Sequence, residues 1–555
     1  MKKTISPLTR GAGDLLNPFF LLSLLMLSPA QAAFAAGDAA SAAVNPDMNK
    51  RSPVSVEKTA DPNPTTVLVN GFIFSGNNSI SSTELNGLLK EFVGKRCSLI
   101  DLRQAAGKVG AEYLRRGNPL AKAYIPPQRV NGGLVTVTIV EGRIGRVIVE
   151  GNKNYSTEFI RKNLTGGRET AKPTIDCIEK GLLRLNEDFV DLKVTANFAP
   201  GVLPGTTDIH VKVDDGSPVH VTLSGNNFGS DYVSRYRYGA TAEWTNALLP
   251  GAYMTLGGLI GDKPKDMNVY SGSYEFPINS CGTIVGVSAF NGNFDVGKDF
   301  SDLGIHNEET SVDLYLRQPL IRERGEKLFA KIGFRGAEAK YYLMDELSSR
   351  DNTRVAYLQL QGDRVFAGGR GLANLTVAKG LGGMFGGTEN GSTYASRVDA
   401  NNDFFKANLD LARFQPLSDD FSLLVRASGQ WSPDNLLASE EWLIGGIDSV
   451  HGFSIGEGAG DRGYSASLSL RANPLSNKQS LQLAAFIDYG YSYKRTIFAG
   501  SQHRTDLTGV GFGISSHLMT VAPTDVRFDV GFPLNSSTNH INDKPVLYFQ
   551  TSIRL

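Results

Sequence analysis

From Ser217 to Leu555 the chain alternates. Along Asp525 to Phe532 (DVRFDVGF), Val526, Phe528, Val530 and Phe532 fall on one face of an extended chain, and Asp525, Arg527 and Asp529 on the other. A period of two with one wholly apolar face predicts strands whose outer side meets an apolar medium. The same pattern recurs where Val312, Leu314 and Leu316 interleave with Asp313, Tyr315 and Arg317. It recurs again at Phe405, Ala407, Leu409 and Leu411, and at Leu481, Leu483, Ala485 and Ile487. Counting such runs gives about sixteen strands, an even number as bacterial membrane barrels require. Closing them on themselves satisfies every backbone group in lipid and leaves the charged face lining a wet lumen. The final run, Leu547 to Leu555, turns Leu547, Phe549, Thr551, Ile553 and Leu555 outward.

Residues 66–143 follow a different rhythm. Phe72 and Phe74 precede a turn at Gly76-Asn77-Asn78, and Ser82 with Leu85, Leu88 and Leu89 predicts a capped amphipathic helix. Leu99 to Arg115 places Leu102, Ala105, Ala106, Val109 and Tyr113 at helical spacing. Strands follow at Ala123 to Ile125 and at Leu134 to Val140. Residues 144–215 repeat the plan, with a strand from Ile144 to Val149, a turn at Gly151-Asn152, helices over Phe159 to Leu164 and Ile175 to Asn186, and strands over Val190 to Phe198 and Thr207 to Val213. Two related α+β domains explain this repeat better than two unrelated ones.

Between strands of the barrel, Leu443 to Arg471 (LIGGIDSVHGFSIGEGAGDRGYSASLSLR) carries Gly445, Gly446, Gly452, Gly456, Gly458, Gly460 and Gly463. So many glycines rule out a helix interior and weaken any strand. A loop of that length in a compact domain is usually functional or disordered. Its apolar Val450, Phe453 and Ile455 predict that it packs into the lumen.

The N-terminus changes the compartment. Lys2, Lys3 and Arg10 precede the apolar run Phe19 to Leu27, and Ala30-Gln31-Ala32 and Ala33-Phe34-Ala35 both offer small-x-small cleavage sites. Residues 1–35 therefore read as an export signal; the apolar core is short for the alternative, a membrane anchor. Residues 36–65, rich in Ala, Ser, Asp, Asn and Pro, read as a linker, and Pro46, Pro53, Pro62 and Pro64 leave little room in it for a long helix. Beyond the N-terminus there is no apolar run of the length a membrane helix needs. Fifty-six basic and fifty-six acidic residues balance, which argues against nucleic acid as a partner. Cys97, Cys177 and Cys281 fit no zinc or redox spacing, and unpaired or semi-buried thiols are the favoured reading. The seven histidines form no metal motif. Asp448, Ser449 and His451 are neighbours in sequence, which is not triad geometry. No enzyme, cofactor or metal site is expected.

Several motifs resemble one family. GG-x-x-SV-x-GF followed by GD-x-G, the phrase AYIPPQRVNGGLVTVTIVEGRI (Ala123 to Ile144), and Phe486-Ile487-Asp488-Tyr489-Gly490 are similar to two-partner secretion (TpsB-type) outer-membrane transporters, the haemolysin secretion/activation proteins. The resemblance spans residues 66–555. It implies POTRA domains over 66–143 and 144–215, a barrel of sixteen strands over 216–555, and an inward-folded loop over 443–471. It further implies an outer-membrane protein with periplasmic POTRA domains that exports one large, unfolded exoprotein of haemolysin or adhesin type. Lipid surrounds such a barrel, and periplasmic chaperones and the barrel assembly machinery are its partners during biogenesis. Two other classes compete: an insertase of the same superfamily, which usually carries more periplasmic domains, and a passive porin, which has no POTRA repeats.

The resemblance also nominates residues. The loop motif comprises Val450, His451, Gly452, Phe453, Gly460, Asp461 and Gly463, and its partners on the wall are Phe486, Asp488 and Gly490. Family members carry arginine where His451 stands and often glutamate where Ser469 stands. Arginine grips a carboxylate at two points and neutral histidine cannot, so a weaker, pH-sensitive hold on Asp488 is expected. Functional degeneration, or Asp488 as an ordinary lumen charge, are the competing readings.

Overall fold

The computed structural model describes residues 66–118, 120–167, 175–189, 191–203, 205–475, 481–497, 502–519, 522–535 and 544–555. The export signal over 1–35 and the linker over 36–65 lie outside them. The described chain divides into two compact units, with the barrel from Ser217 to Leu555 in one and residues 66–216 in the other.

The N-terminal unit holds two modules of one plan. In the first, β1 (Val67–Leu68), β2 (Gly71–Ser75), α1 (Ser82–Leu88), β3 (Arg96–Cys97), α2 (Leu99–Arg115), β4 (Lys122–Tyr124) and β5 (Leu134–Val140) follow in order. The three-stranded sheet runs β2-β5-β4, with β2 parallel to β5 and β4 antiparallel to it. Both helices start at capping boxes, Ser81 with Glu84 and Ser98 with Asp101. Each box satisfies two N–H groups that a helix start leaves open. The periodic residues of α2 (Leu102, Ala105, Ala106, Val109 and Tyr113) pack with Leu85, Val135, Val137 and Ile139.

The second module repeats this with β6 (Arg143–Glu150), α3 (Thr157–Thr165), α4 (Ile175–Asp188), β7 (Leu192–Pro200) and β8 (Thr206–Asp215). Its sheet order is β6-β8-β7, with β6 parallel to β8. The likeness reaches single atoms. Gly76 and Gly151 both take positive φ, +84° and +89°. A Cβ there would lie 2.1 Å from the carbonyl oxygen of Ile139 in one case and 2.4 Å from that of Val213 in the other. Asn77 and Asn152, the next residues, each donate through Nδ2 to a carbonyl three residues on, Ile80 and Tyr155. A carboxylate at the module's end then clamps the turn. Glu141 accepts from the Ser79 N–H at 2.6 Å, and Asp215 Oδ2 accepts from Lys153 and Asn154 N–H at 2.8 and 2.5 Å.

The barrel strands are β9 (Val219–Asn226), β10 (Arg237–Thr245), β11 (Tyr253–Gly261), β12 (Met267–Pro277), β13 (Ile284–Asp295), β14 (His306–Glu323), β15 (Glu326–Leu343), β16 (Glu346–Phe366), β17 (Gly369–Gly380), β18 (Phe405–Pro416) and β19 (Phe421–Trp431). A pair of short strands, β20 (Trp442–Ile444) and β21 (Gly458–Gly460), interrupts the sequence before β22 (Arg462–Ala472), β23 (Gln482–Tyr493), β24 (Arg504–Met519), β25 (Pro523–Pro533) and β26 (Val546–Arg554). Without β20 and β21, sixteen strands close into one antiparallel barrel in which β26 pairs with β9. The apolar face read from the sequence points outward: Val312, Leu314, Leu409, Leu483, Ile487, Phe528 and Leu547 are exposed, whereas Asp488 and Asp529 are buried. Aromatic residues band the outer surface near both ends, with Tyr238, Tyr270, Trp431 and Tyr464 at one and Trp244, Phe366 and Phe421 at the other, as at membrane interfaces. No helix is long and apolar enough to cross a membrane, among the described residues. The three cysteines form no disulfide.

One boundary needs correction. The loop expected over 443–471 ends at Asp461, and residues 462–472 are strand β22, paired with β19 and β23. Glycine richness misled there. Gly463, Ser465, Ser467 and Ser469 are small residues buried on the lumen face, while Tyr464, Leu468 and Leu470 face out. The period of two is intact beneath a loop-like composition. Gly463, expected in the loop, is therefore part of the wall. The connection actually runs from 432 to 461, longer at its start than expected.

Candidate functional site

The connection 432–461 lies inside the barrel. Its two limbs pair as β20 with β21, and its tip is tightened by Ser449, whose Oγ accepts from Gly445 N–H at 2.7 Å. Trp442, Ile444, Val450 and Phe453 form a buried cluster with Leu507 of β24. Burial of these apolar side chains, at about 25 cal/mol per Å², favours a loop seated on the wall.

The wall is shaped to receive it. A Cβ on Gly490 would lie 2.7 Å from Val450 Cγ2, and one on Gly509 would lie 2.1 Å from the His451 carbonyl oxygen. On Gly531 it would meet Gly452 N at 2.4 Å, and on Gly463 the indole of Trp442 at 2.3 Å. Strands β22 to β25 thus present glycine at four close approaches of the loop, to its backbone at 509 and 531 and to its side chains at 463 and 490. Gly452 itself takes φ +92°, and a Cβ there would strike the Phe532–Pro533 peptide at 2.7 Å. This tip requires glycine both for its dihedral and for the close approach.

Of the nominated residues, the structure brings together Val450, His451, Gly452 and Phe453 with Phe486, Asp488 and Gly490. His451 Nδ1 lies 2.6 Å from Asp488 Oδ2, and the His451 backbone N–H donates to the same oxygen at 3.2 Å. Both side chains are buried. The imidazole packs on Phe486 with ring centroids 4.1 Å apart and meets the edge of Tyr548 at 5.5 Å. The Tyr548 hydroxyl accepts from Gly452 N–H and donates to the Phe453 carbonyl, each at 3.1 Å. Asp488 Oδ1 and His451 Nε2 are buried with no hydrogen-bond partner among the described residues. The contact is therefore single-point on the carboxylate, as histidine geometry dictates. Ser469 lies on the lumen face of β22.

Gly460 and Asp461 are not at the tip. Gly460 sits in β21, where a Cβ would lie 2.6 Å from the Tyr493 backbone. Asp461, fully buried, accepts from Arg397 Nη1 and Nη2 at 2.6 and 3.1 Å. It also accepts from the N–H groups of Leu436 and Arg495, each at 2.7 Å.

Sequence reasoning missed several members of this site. Glu440, on the outgoing limb, is buried between Arg335 of β15 at 2.6 Å and Lys406 of β18 at 2.7 Å. Asp448 lies in the field of Arg237, Arg426 and Arg527. Tyr548 follows from the alternation of β26, since its neighbours Leu547 and Phe549 were read as outward. Nothing local marks Arg397 or Glu440. No group of residues that could hold a metal ion occurs among the described residues.

Comparison with known proteins adds the following. The model of the family described as "Haemolysin secretion/activation protein ShlB/FhaC/HecB" matches residues 205–516, and that of the ShlB-type POTRA domain matches 67–142. The heme/hemopexin transporter protein HuxB of Haemophilus influenzae is 24% identical over 481 residues, 84% of this chain and 83% of that protein. The outer membrane transporter CdiB of Escherichia coli O6:K15:H31 is 24% identical, over 73% of this chain and 71% of its own. Among solved structures, CdiB from Escherichia coli superposes with a TM-score of 0.73 at 20% identity, covering 91% of this chain and 93% of that one. CdiB from Acinetobacter baumannii does so at 0.67 and 17%, over the full length of both. At those identities the superpositions speak for the fold.

Proposed function

The chain belongs to the haemolysin secretion/activation protein family ShlB/FhaC/HecB, whose members are two-partner secretion transporters of the outer membrane, and we propose that it exports one dedicated, large exoprotein, unfolded, through its lumen. In this reading the modules over 66–143 and 144–215 are two POTRA domains in the periplasm that receive the exoprotein. The loop over 432–461 is the gate, and His451 with Asp488 is the hold at its tip. The observation that carries the proposal is the seat of glycines at 463, 490, 509 and 531, which admits the loop's Trp442 and Val450 side chains at the first two and its backbone at 509 and 531. A loop built so closely into a lumen closes it, and transport requires that it leave. Relatives named for heme/hemopexin transport and as CdiB transporters support a protein cargo in general without selecting one.

Recognition is assigned to a strand edge. Strand β7 lies at an edge of its sheet and pairs with β8 alone. At Val194 its outer edge is occupied by the Asn186 amide, which bonds both the Val194 N–H at 2.8 Å and its carbonyl at 2.9 Å. The Val194 N–H therefore points away from β8, and the period of two turns the N–H groups of Ala196 and Phe198 the same way. Beyond Asn186 no strand pairs with this edge among the described residues, and Phe198, Val202 and Leu203 are exposed beside it. An extended segment can add there as a strand.

The test is deletion of the chain from its native host. Loss of one large secreted protein, with other outer-membrane barrels at normal levels, is expected; a general loss of barrels would replace export by insertion. Phe198→Pro, which removes an edge donor without touching the β8 ladder, is expected to stop export while the barrel still inserts.

A further inference from the structure

The tip contact between His451 and Asp488 is poorly matched to the task of holding a loop this size. Two donors converge on one oxygen, Asp488 Oδ2, and Oδ1 has no partner among the described residues. Asp461, on the returning limb, accepts four donors, two of them from one guanidinium. Charge-assisted, two-point pairs are roughly twice as strong as neutral bonds.

The origin of that guanidinium matters. Arg397 belongs to a separate connection, 381–404, between β17 and β18. That connection is fastened to β16 along its length. The buried Asn402 side chain accepts from Arg354 N–H at 3.1 Å and donates to the Gly382 carbonyl at 2.8 Å. Thr388 Oγ1 accepts from Asn352 N–H at 2.8 Å, and Asp351 Oδ1 accepts from Ser396 N–H at 3.0 Å. From this bracket Ser396 Oγ accepts the Ala438 N–H of the inner loop at 2.9 Å. Arg397 then reaches Asp461, Glu441 at 3.1 Å, and the carbonyls of Leu436 at 2.6 Å and Thr496 at 3.4 Å. Glu441 in turn faces Lys494 at 3.8 Å. One buried side chain thus ties three connections at the same end of the barrel.

We infer that Arg397 is the positioning residue that keeps the inner loop in the lumen, and that release of its fork from Asp461, not of His451 from Asp488, sets how readily the loop leaves. The two-point grip that histidine cannot supply at the tip is supplied at the returning limb. The inference rests on the gating reading above only for its consequence in transport; the clasp itself concerns the loop's position. Glu440 with Arg335 and Lys406 holds the outgoing limb, but those partners sit on the wall itself. Arg397 sits on a neighbouring loop, so its grip is the one that a rearrangement of the outer connections would break.

The experiment uses the full chain with Cys97, Cys177 and Cys281 changed to serine and Val450→Cys as a probe at a buried loop position. The rate of labelling by a water-soluble maleimide reports departure of the loop, and heat-modifiable gel migration checks that each barrel is folded. Arg397→Lys keeps the charge and loses the fork; it is expected to raise the rate tenfold or more. Asp461→Asn should do the same, and the double variant should label no faster than the quicker single one, because the pair acts as a unit. Asp488→Asn, whose amide oxygen can still accept from the His451 N–H, should raise it less than either clasp variant. Labelling of Arg397→Lys and Asp461→Asn at the parental rate, or faster labelling in Asp488→Asn than in either, overturns the inference. Single-channel recordings of the same proteins separate the two claims. Faster labelling without more openings would leave the clasp standing and remove the gating reading.

Discussion

Replacing Gly509 with alanine puts one methyl group between the barrel wall and the inner loop. Gly509 lies on β24 with φ outside the left-handed region, so alanine does not strain the strand. It pairs with Asp488 on one side and Pro533 on the other, so the strand is poorly placed to yield. The new Cβ would stand 2.1 Å from the His451 carbonyl oxygen, against about 3.4 Å for ordinary contact, and the loop must retreat by about 1.3 Å, the difference. That carries His451 out of hydrogen-bonding distance of Asp488, now 2.6 Å away, and off the face of Phe486. A hydrogen bond to a charged group contributes about 1.5–3 kcal/mol and an aromatic contact about 0.5–1.5 kcal/mol. The closed loop therefore loses about 2–4.5 kcal/mol, which at about 1.4 kcal/mol per tenfold is a shift of roughly 30- to 1,600-fold toward open. The assay is open probability in planar bilayers. Gly362→Ala, whose Cβ would find its nearest neighbour at 3.8 Å, is the control. Openings by a folded Gly509→Ala barrel within about threefold of the parent, far below the range derived from those same bond values, would refute the reasoning.

Three further outcomes follow from the same geometry. His451→Arg should offer a second donor to the unpartnered Asp488 Oδ1 and reduce channel openings, while Asp488→Asn should increase them; recordings on both variants check the direction. At Asp215, burial opposes ionisation but is outweighed by the N–H groups of Lys153, Asn154 and Tyr155, so its folded pKa lies below the ordinary carboxylate value. Glu141 is lowered likewise, with burial outweighed by Ser79 N–H and the Tyr113 hydroxyl. For a lowered carboxylate the stabilisation is present above the unfolded pKa, near 4, and is lost as pH falls through the folded one. Amide exchange over residues 66–215 should therefore accelerate below about pH 4, and Asp215→Asn should flatten that dependence over 144–215. Gly452→Ala, with both a forbidden dihedral and a 2.7 Å clash, should free the loop at least as fully as Gly509→Ala in the same recordings.

The barrel was legible because lipid imposes a simple rule on every strand. Leu314 cannot exchange faces with Asp313 or Phe528 with Asp529 without burying a charge in hydrocarbon, and the alternation survives in nearly every run. The N-terminal helices were legible for local reasons, since caps and a 3.6-residue period are written within a few positions. The cap at the first helix falls on Ser81 rather than at Ser82, because only Ser81 has a glutamate three residues on to complete the box. Where the reading slipped, composition was asked to decide between loop and strand. Gly463 on β22 is a glycine because Trp442 presses on it, not because the chain turns.

The site was legible only at its tip, and the reason is physical. A hairpin laid along a wall needs two things: atoms removed where backbones meet, and charges paired where they are buried. The first need is met by glycines at 509 and 531, each of which reads in sequence as a weakened strand position. The second is met by partners far away along the chain: Arg397 stands 64 residues before Asp461, and Arg335 stands 105 before Glu440. No local pattern can announce such pairs, because neither residue has a role until the barrel has closed around the loop. Asp461 illustrates the difference. Its motif placed it in the loop, yet besides Leu436 its partners Arg397 and Arg495 lie on two other connections, and the strength of its hold follows from their positions rather than from its own neighbours. A weakened tip is therefore compatible with a firmly held loop, provided the returning limb carries the grip.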